Sequence, residues 1–362
     1  MAKRPTRIAG PLLRWYDRAQ RDLPWRRSPT PYRTLVSEVM AQQTGVATVG
    51  PYFERFLLRF PTLESLAAAS DDQVTALWSG LGYYARARNL RRAAGLVVGE
   101  LGGELPRTEA GLRRLPGVGP YTAAAVAAIA FGARAFALDG NAMRVLARFF
   151  GVQARIDLPA TRVRLHRLGL DQVPGRRAGD FNQAVMELGA TVCTPRQPSC
   201  QGCPLRLGCA AREAGETERL PRKGARAARP SVRVACVYLT DGARVLMVKR
   251  PSGLLAGTWA LPDGESPATG GPSLEIARQV AARSGARGAV LEYRGAIRHV
   301  FTHRDVTADV FRAQVPARGR SAGDRRWVAA AGLAAVGIST FARKTIALGV
   351  GPTKQDTAGL RT

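Results

Sequence analysis

Along the first two thirds of the chain, apolar residues return at steps of three and four, as in Leu12-Leu13-Trp15-Tyr16, Leu35-Val36-Val39-Met40 and Val126-Ile129. Such spacing lines one face of a helix. Turn signals divide the run at Pro31, Gly80, Gly82, Gly102-Gly103, Pro116-Gly117, Gly140 and Pro174-Gly175. The pattern predicts an all-α domain over residues 1–211. Residues 212–230 (REAGETERLPRKGARAARP) are charged and nearly free of large apolar groups, the composition of a linker. From Ser231 the period changes, with short β-rich runs at Val232 to Tyr238, Arg244 to Val248, Val290 to Tyr293 and Val306 to Phe311 and a helical pattern over Leu274 to Arg283. An α+β domain over 231–350 is expected, followed by a disordered polar tail, 351–362. The sequence has no internal repeat of fixed period.

Length and composition agree with a multidomain chain. A chain of 362 residues, 46% apolar and 22% charged, suits two globular cores and excludes global disorder. The 54 basic residues exceed the 27 acidic ones, leaving +27, a field that recruits a polyanion such as nucleic acid. Only five of the cations are lysine, at 3, 223, 249, 344 and 354, so part of the excess reflects arginine-rich coding. Residues 4–222 contain no lysine at all. The longest apolar stretch, Tyr121 to Leu138, is interrupted by Arg134, which argues against a membrane span. The opening MAKRPTRIAG lacks the apolar core of a secretory signal. A cytoplasmic, nucleoid-associated protein is expected, and in that reducing setting cysteines point to metal rather than disulfides.

Cys193, Cys200, Cys203 and Cys209 follow the spacing C-x6-C-x2-C-x5-C, close enough for four thiolates to complete one metal centre. Spacing alone leaves zinc and an iron-sulfur cluster open, since zinc sites favour paired C-x2-C knuckles and one pair is present. Arg196, Arg206 and Arg212 lie among or just after these ligands, either as a phosphate-facing basic loop or as a solvated one. Cys236 sits at an apolar strand position and reads as a buried structural thiol.

Leu115-Pro116-Gly117-Val118-Gly119 leads into Pro120 and the alanine-rich stretch Tyr121 to Phe131. Gly117, Val118 and Gly119 allow a tight turn whose amides point outward from a helix N-terminus, a ready anion site. As a bare pattern it is equally a helix-joining turn. In a basic helical domain beside a cysteine cluster it resembles the helix-hairpin-helix turn that grips a DNA phosphate.

With these features together, the chain resembles the helix-hairpin-helix DNA glycosylases that carry an iron-sulfur cluster and, within them, the MutY-type adenine DNA glycosylases. The resemblance rests on Leu23-Pro24-Trp25-Arg26, Ser37-Glu38-Val39-Met40-Ala41-Gln42-Gln43-Thr44, Gly80-Leu81-Gly82-Tyr83-Tyr84-Ala85-Arg86, Leu138-Asp139-Gly140-Asn141 with Arg144-Val145-Leu146, Met186-Glu187-Leu188-Gly189, and the turn and cysteines above. It runs from about residue 11 to 210 and continues more loosely to about 345. It implies a 4Fe-4S cluster on the four cysteines.

Cleaving an N-glycosidic bond generates an oxocarbenium-like sugar and a poor purine leaving group, so one carboxyl should protonate the base and another stabilise the cation. On residue type alone, Glu38 is equally a solvated helical acid and Asp139 a turn or capping residue. The resemblance implies that Glu38 protonates adenine and then activates water, and that Asp139 stabilises or captures the sugar, with Tyr121 and Asn141 beside them. Glu38 then needs a raised pKa, which burial supplies. Lyase relatives of the endonuclease III type place a nucleophilic lysine after Gly119-Pro120; here that residue is Tyr121, and no nearby lysine substitutes. Base release without efficient strand cleavage is expected.

The same resemblance implies that Gln42, Gln43 and Tyr83 fill the gap left by an extruded base, with Gln42 one helical turn after Glu38. It implies DNA contact at Gly117, Val118, Gly119 and Arg86, and an adenine pocket lined by Arg21, Trp25, Arg26 and Glu187. Residues Trp259 to Gly264 and Leu274 to Gly285 resemble a Nudix fold. Gln279, Ala282 and Arg283 occupy its usual acidic positions, so metal-dependent hydrolysis is not expected. A recognition domain for 8-oxoguanine is expected instead, read by Phe301, Thr302 and His303, with Thr302 where the family has serine. His299 is either a helper or a satisfied surface histidine, and His166 carries no signal. The expected substrate is double-stranded DNA with A:8-oxoG or A:G mispairs, bound by a monomer. The rivals are a thymine mismatch glycosylase and a catalytically silent DNA-binding module.

Overall fold

Prolines and short polar residues set where the helices begin. Thr30, Thr62, Ser70, Thr108 and Asp139 each accept a backbone N–H from the first turn that follows, and Pro120 and Pro159 occupy first helical positions. The computed structural model describes residues 7–225, 228–253, 255–267, 271–316 and 323–350; the tail expected from 351 lies outside them. The helices are, in chain order, α1 (Ala9–Ala19), α2 (Pro24–Arg27), α3 (Pro31–Ala41), α4 (Val46–Arg59), α5 (Leu63–Ala67), α6 (Asp71–Leu77), α7 (Ala85–Glu100), α8 (Glu109–Leu112), α9 (Pro120–Phe131), α10 (Gly140–Phe149), α11 (Pro159–Gln172), α12 (Ala178–Thr191) and α13 (Ala210–Glu213). Among the described residues no helix is long and apolar enough to cross a membrane.

The residues divide into two units: one takes 7–68 and 92–225, the other 69–91 and those from 228 onward. In the first, α9 is buried from Thr122 to Ala128, and its alanines let α3 and α12 pack close on either side. Two glycines set how α12 crosses its neighbours. A Cβ on Gly179 would lie 2.8 Å from Ile129 Cα, and one on Gly189 would lie 2.5 Å from Asn141 Cβ. Backbone therefore meets backbone where α12 passes α9 and α10. This close crossing gathers α3, α9, α10 and α12 around one cavity.

Much of the expected linker belongs to this unit. Leu220, the one large apolar side chain in 212–230, is 1% exposed; Ile156 N donates to Arg222 O at 3.0 Å and Gly224 N to Asp157 Oδ1 at 3.0 Å. A single buried leucine and these backbone bonds fix a segment whose average composition reads as loose.

The second unit is a mixed sheet of β1 (Ser231–Thr240), β2 (Arg244–Lys249), β3 (Trp259–Ala260), β4 (Asp263–Ser266), β5 (Glu292–Val300), β6 (Asp305–Gln314) and β7 (Arg325–Ala329), with α14 (Leu274–Arg283) and α15 (Thr340–Val350). The order β3-β2-β1-β6-β5 has β1 parallel to β6 and the other pairs antiparallel; β4 pairs with β1 and β7 with β2. Period-two alternation supplies two cores. Ala235, Val237 and Leu239 face Ala277, Val280 and Ala281 of α14, while Cys236, Val306 and Val310 face Phe341, Ala342 and Ile346 of α15. Cys236 is a buried core thiol.

Residues 69–91, which the apolar pattern places in the helical domain, are held by the sheet. Asp72 accepts from Lys249 Nζ at 2.8 Å and Trp259 Nε1 at 3.2 Å, Tyr84 donates to Ile338 O at 3.0 Å, and Ile338 N donates to Ser79 Oγ at 3.2 Å. These are bonds between residues far apart in sequence, which local pattern does not reveal.

Candidate active site

The cavity in the helical unit, about 310 Å³, is lined by Arg21, Trp25, Arg26, Glu38, Tyr121, Asp139, Asn141, Gln183, Met186 and Glu187 among others. Its volume is at the lower end of the roughly 300–1,000 Å³ typical of ligand pockets. Glu38 projects from α3, is 9% exposed and accepts the Tyr121 hydroxyl at 2.7 Å. Burial raises its carboxyl to about 7, reinforced by the charge of Asp139 and opposed by the Tyr121 hydrogen bond and Arg26. Tyr121 stays protonated because its own burial and the adjacent carboxylates push its pKa well up.

Asp139 caps α10, accepting from Ala142 N at 2.6 Å and from Asn141 Nδ2 at 3.0 Å. Burial also raises this carboxyl, against the opposing pull of those donors and of Arg144. The two carboxyls thus share a cavity but not an environment. Glu38 has one hydroxyl donor and a strong tendency to stay neutral, whereas Asp139 has N–H donors that favour its anion. Glu38 is thus poised to give a proton, while Asp139 is held in place by two N–H donors.

The opposite wall is a buried ion network. Glu187, 1% exposed, accepts from Arg21 Nε at 2.5 Å and from Arg26 Nη2 at 2.9 Å. Burial raises its carboxyl, but the two guanidiniums outweigh that and leave it lowered. Arg26 also binds Gln183 Oε1 at 3.0 Å, and Trp25 stacks edge-on against Phe53 at 5.6 Å. The arrangement fixes one charged acceptor and two charged donors in the lining of the cavity.

Gln42 departs from the expected one-turn spacing. α3 ends at Ala41, Gln42 is its extended C-cap, and its Nε2 donates to Thr122 Oγ1 at 2.9 Å. Gln43 follows with φ 55. In the expected phosphate turn, Gly117 has φ 76, a left-handed conformation that favours glycine. Gly119, by contrast, has φ −84 and ψ 178 as the N-cap of α9.

In the second unit, β5 and β6 form a hairpin whose tip is Phe301 to Arg304, closed by Phe301 N donating to Arg304 O at 2.9 Å. Phe301 and His299 pack on each other at 4.5 Å and each lies 5.7 Å from Phe341. Burial, then Lys344, keeps the His299 pKa below its ordinary value. Thr302 and His303 are exposed at the tip. Thr302 Oγ1 lies 2.5 Å from the Tyr83 hydroxyl.

All four cluster cysteines line one cavity with Val145, Arg148, Phe149, Leu188 and Leu205. An all-thiol donor set gathered around one cavity fits an iron-sulfur cluster. Two arginines on α10 tie the loop down. Arg148, 2% exposed, donates to Thr194 O at 2.7 Å and Leu220 O at 2.8 Å and lies 3.3 Å from Cys193 Sγ. Arg144 donates to Cys193 O at 2.6 Å, Gly189 O at 2.5 Å and Asn141 Oδ1 at 2.7 Å.

Residues 36–168 match the family model described as HhH-GPD superfamily base excision DNA repair protein, and residues 234–348 match the NUDIX domain model. The chain is 38% identical over 393 residues to the mouse adenine DNA glycosylase, an alignment covering 92% of this chain and 76% of that one. The chain belongs to the adenine DNA glycosylase family. The human adenine DNA glycosylase is 39% identical over 369 residues, covering 84% of this chain and 66% of its own length; this chain thus spans about two thirds of that relative. A thermostable thymine-DNA glycosylase of known structure aligns with 57% of this chain and 95% of its own, at TM-score 0.53 and 31% identity.

Within this adenine glycosylase family member, the structure brings Arg21, Trp25, Arg26, Glu38, Tyr121, Asp139, Asn141 and Glu187 to one cavity. Tyr83 and Thr302, which both belong to the second unit, lie beside one another. Gln183, Met186 and the pair Arg144 and Arg148 were missed as site residues from sequence. The signal available was the i, i+4 spacing of two arginines on an otherwise apolar helix face, which is unusual for solvated charge.

Proposed function

We propose that the protein is a monofunctional adenine DNA glycosylase that acts as a monomer on adenine opposite 8-oxoguanine or guanine in duplex DNA. The observation that carries this is Glu38, buried, held by Tyr121 and titrating at about 7, across the same cavity from the capped carboxylate of Asp139. Glu38 transfers its proton to a ring nitrogen of the extruded purine as the C1′–N9 bond breaks and its electron pair passes to the base. Asp139 faces the sugar cation that remains. The Glu38 carboxylate then takes a proton from water, whose oxygen adds to C1′, and the acid is restored. Arg21, Arg26 and Glu187 suit the polar edge of adenine, with the Glu187 anion accepting from its amino group and the guanidiniums donating to ring nitrogens.

Among the described residues no lysine lines the cavity, which supports release without Schiff-base strand cleavage. The turn Gly117 to Gly119 at the head of α9 is suited to take a phosphate, and the Thr302 tip with Tyr83 is assigned to reading 8-oxoguanine. Cys193, Cys200, Cys203 and Cys209 would hold a 4Fe-4S cluster, which when bound supplies iron–thiolate bonds that close the loop around Arg148. Visible absorbance and acid-labile sulfide of the purified protein test that assignment.

The test of the activity offers duplexes with A opposite 8-oxoguanine, A opposite G and T opposite G, scored for abasic sites with and without alkali. Adenine release that yields strand breaks only after alkali is the expected result. Thymine release without adenine release would instead favour the chemistry of the thymine-DNA glycosylase neighbour.

A further inference from the structure

Arg86 is expected from sequence to contact DNA, yet its guanidinium is turned inward. It lies 5.5 Å from the Trp78 ring and 5.4 Å from the Tyr83 ring, and Nη2 donates to Leu81 O at 3.3 Å and Gly82 O at 3.2 Å. The Trp78 indole donates to the same Gly82 carbonyl at 3.1 Å. Burial lowers the Arg86 pKa to about 10, so it remains a cation, partly stripped of water. Desolvated cations gain most from aromatic faces.

The loop it closes is bent. Gly80, Gly82 and Tyr83 have φ of 111, 72 and 49; for tyrosine, the left-handed region costs about 1 kcal/mol or more. That conformation places the Tyr83 hydroxyl 2.5 Å from Thr302 Oγ1, so something must hold it. Arg86 grips both the ring of Tyr83 and the carbonyl just before it.

We propose that Arg86 is a positioning residue, not a phosphate contact: it clamps the Trp78 to Tyr83 turn so that Tyr83 is presented to DNA in register with Thr302. This rests on the reading of Tyr83 and Thr302 as lesion-facing residues. A lysine would not serve, because its compact ammonium could reach the two carbonyls that Nη2 holds but lacks the planar guanidinium that lies against both rings.

The experiment is equilibrium binding of the full-length protein to a duplex with 8-oxoguanine opposite a non-hydrolysable adenine nucleotide, titrated over a range of salt. The variants are Arg86→Met, Arg86→Lys, Tyr83→Phe and the Arg86→Met/Tyr83→Phe double. If Arg86 held a phosphate, removing its charge would make the slope of log Kd against log salt shallower by about one, and lysine would restore it. If Arg86 clamps the turn, its removal leaves the slope unchanged and weakens binding about fivefold or more at every salt. The expected result is that parallel displacement for both Arg86 variants, with the double variant no weaker than Arg86→Met. A shallower slope for Arg86→Met, wild-type binding by Arg86→Lys, or additive losses in the double variant overturns the proposal. If Arg86→Met does not fold, Arg86→Lys decides, since the two readings predict opposite results for it. Failure of the lesion reading is seen separately, as wild-type protein that binds this duplex no better than a fully paired one.

Discussion

Replacing Glu38 with glutamine should abolish base release and at the same time stabilise the protein, by an amount that depends on pH. The carboxyl titrates at about 7 in the folded protein against an ordinary 4.5, and each pH unit of difference corresponds to about 1.36 kcal/mol. Below the lower value both folded and unfolded chains are protonated, so the site costs nothing. As pH rises, the unfolded chain releases its proton while the folded one retains it, and stability falls until the folded carboxyl also ionises. The full loss, about 3 kcal/mol, is reached above about pH 7. A glutamine side chain has nearly the same shape, can still accept from Tyr121 and cannot ionise, so the variant escapes this loss. Urea unfolding followed by circular dichroism at about pH 5 and about pH 8 should show a small advantage for Glu38→Gln in acid and one of up to about 3 kcal/mol in base. An advantage equal at both pH values, or a wild type that gains stability as pH rises, would refute the picture of a buried neutral acid.

Three further outcomes follow from the same geometry. Single-turnover adenine release should decline as pH rises through about 7, the value for Glu38, and Tyr121→Phe should move that midpoint upward because the Tyr121 hydrogen bond lowers it; a downward move contradicts the assignment. Asp139→Asn should lower release by a factor of at least about 100 while changing the melting temperature little, since asparagine caps a helix as well as aspartate does; a large drop in melting temperature would show that capping, not charge, was lost. Gly119→Ala should still fold, because a Cβ there meets nothing within 4 Å and φ is −84, losing at most about 1 kcal/mol from the poorer N-cap, yet bind duplex DNA more weakly if a phosphate approaches that backbone; unchanged affinity argues against the phosphate turn.

The recurring apolar steps locate α3 and α9, which are buried along most of their length, and the change to β-rich runs marks β1 and β6 to within a few residues, their alternate side chains entering two cores. The two-residue β3 and the four-residue β4 are too short for any pattern to register. The membership of 69–91 in the sheet unit escaped for a different reason: it depends on Asp72 meeting Lys249 and Trp259, nearly two hundred residues away. At the site, Glu38 and Asp139 as residue types were compatible with a solvated acid and a capping residue, and Asp139 does cap α10. Composition carried no sign that the cap also lines a cavity. Gln42 illustrates the limit of helical spacing, since the helix stops one residue before it and its amide turns to Thr122.

Whether this cavity severs the bond between adenine and deoxyribose and leaves the backbone whole is tested most directly by mass spectrometry of the products from a duplex with one adenine opposite 8-oxoguanine. The expected products are free adenine and an uncut strand bearing one abasic site, with neither formed by Glu38→Gln. An unchanged strand, or one already cleaved before alkali is added, would contradict that chemistry.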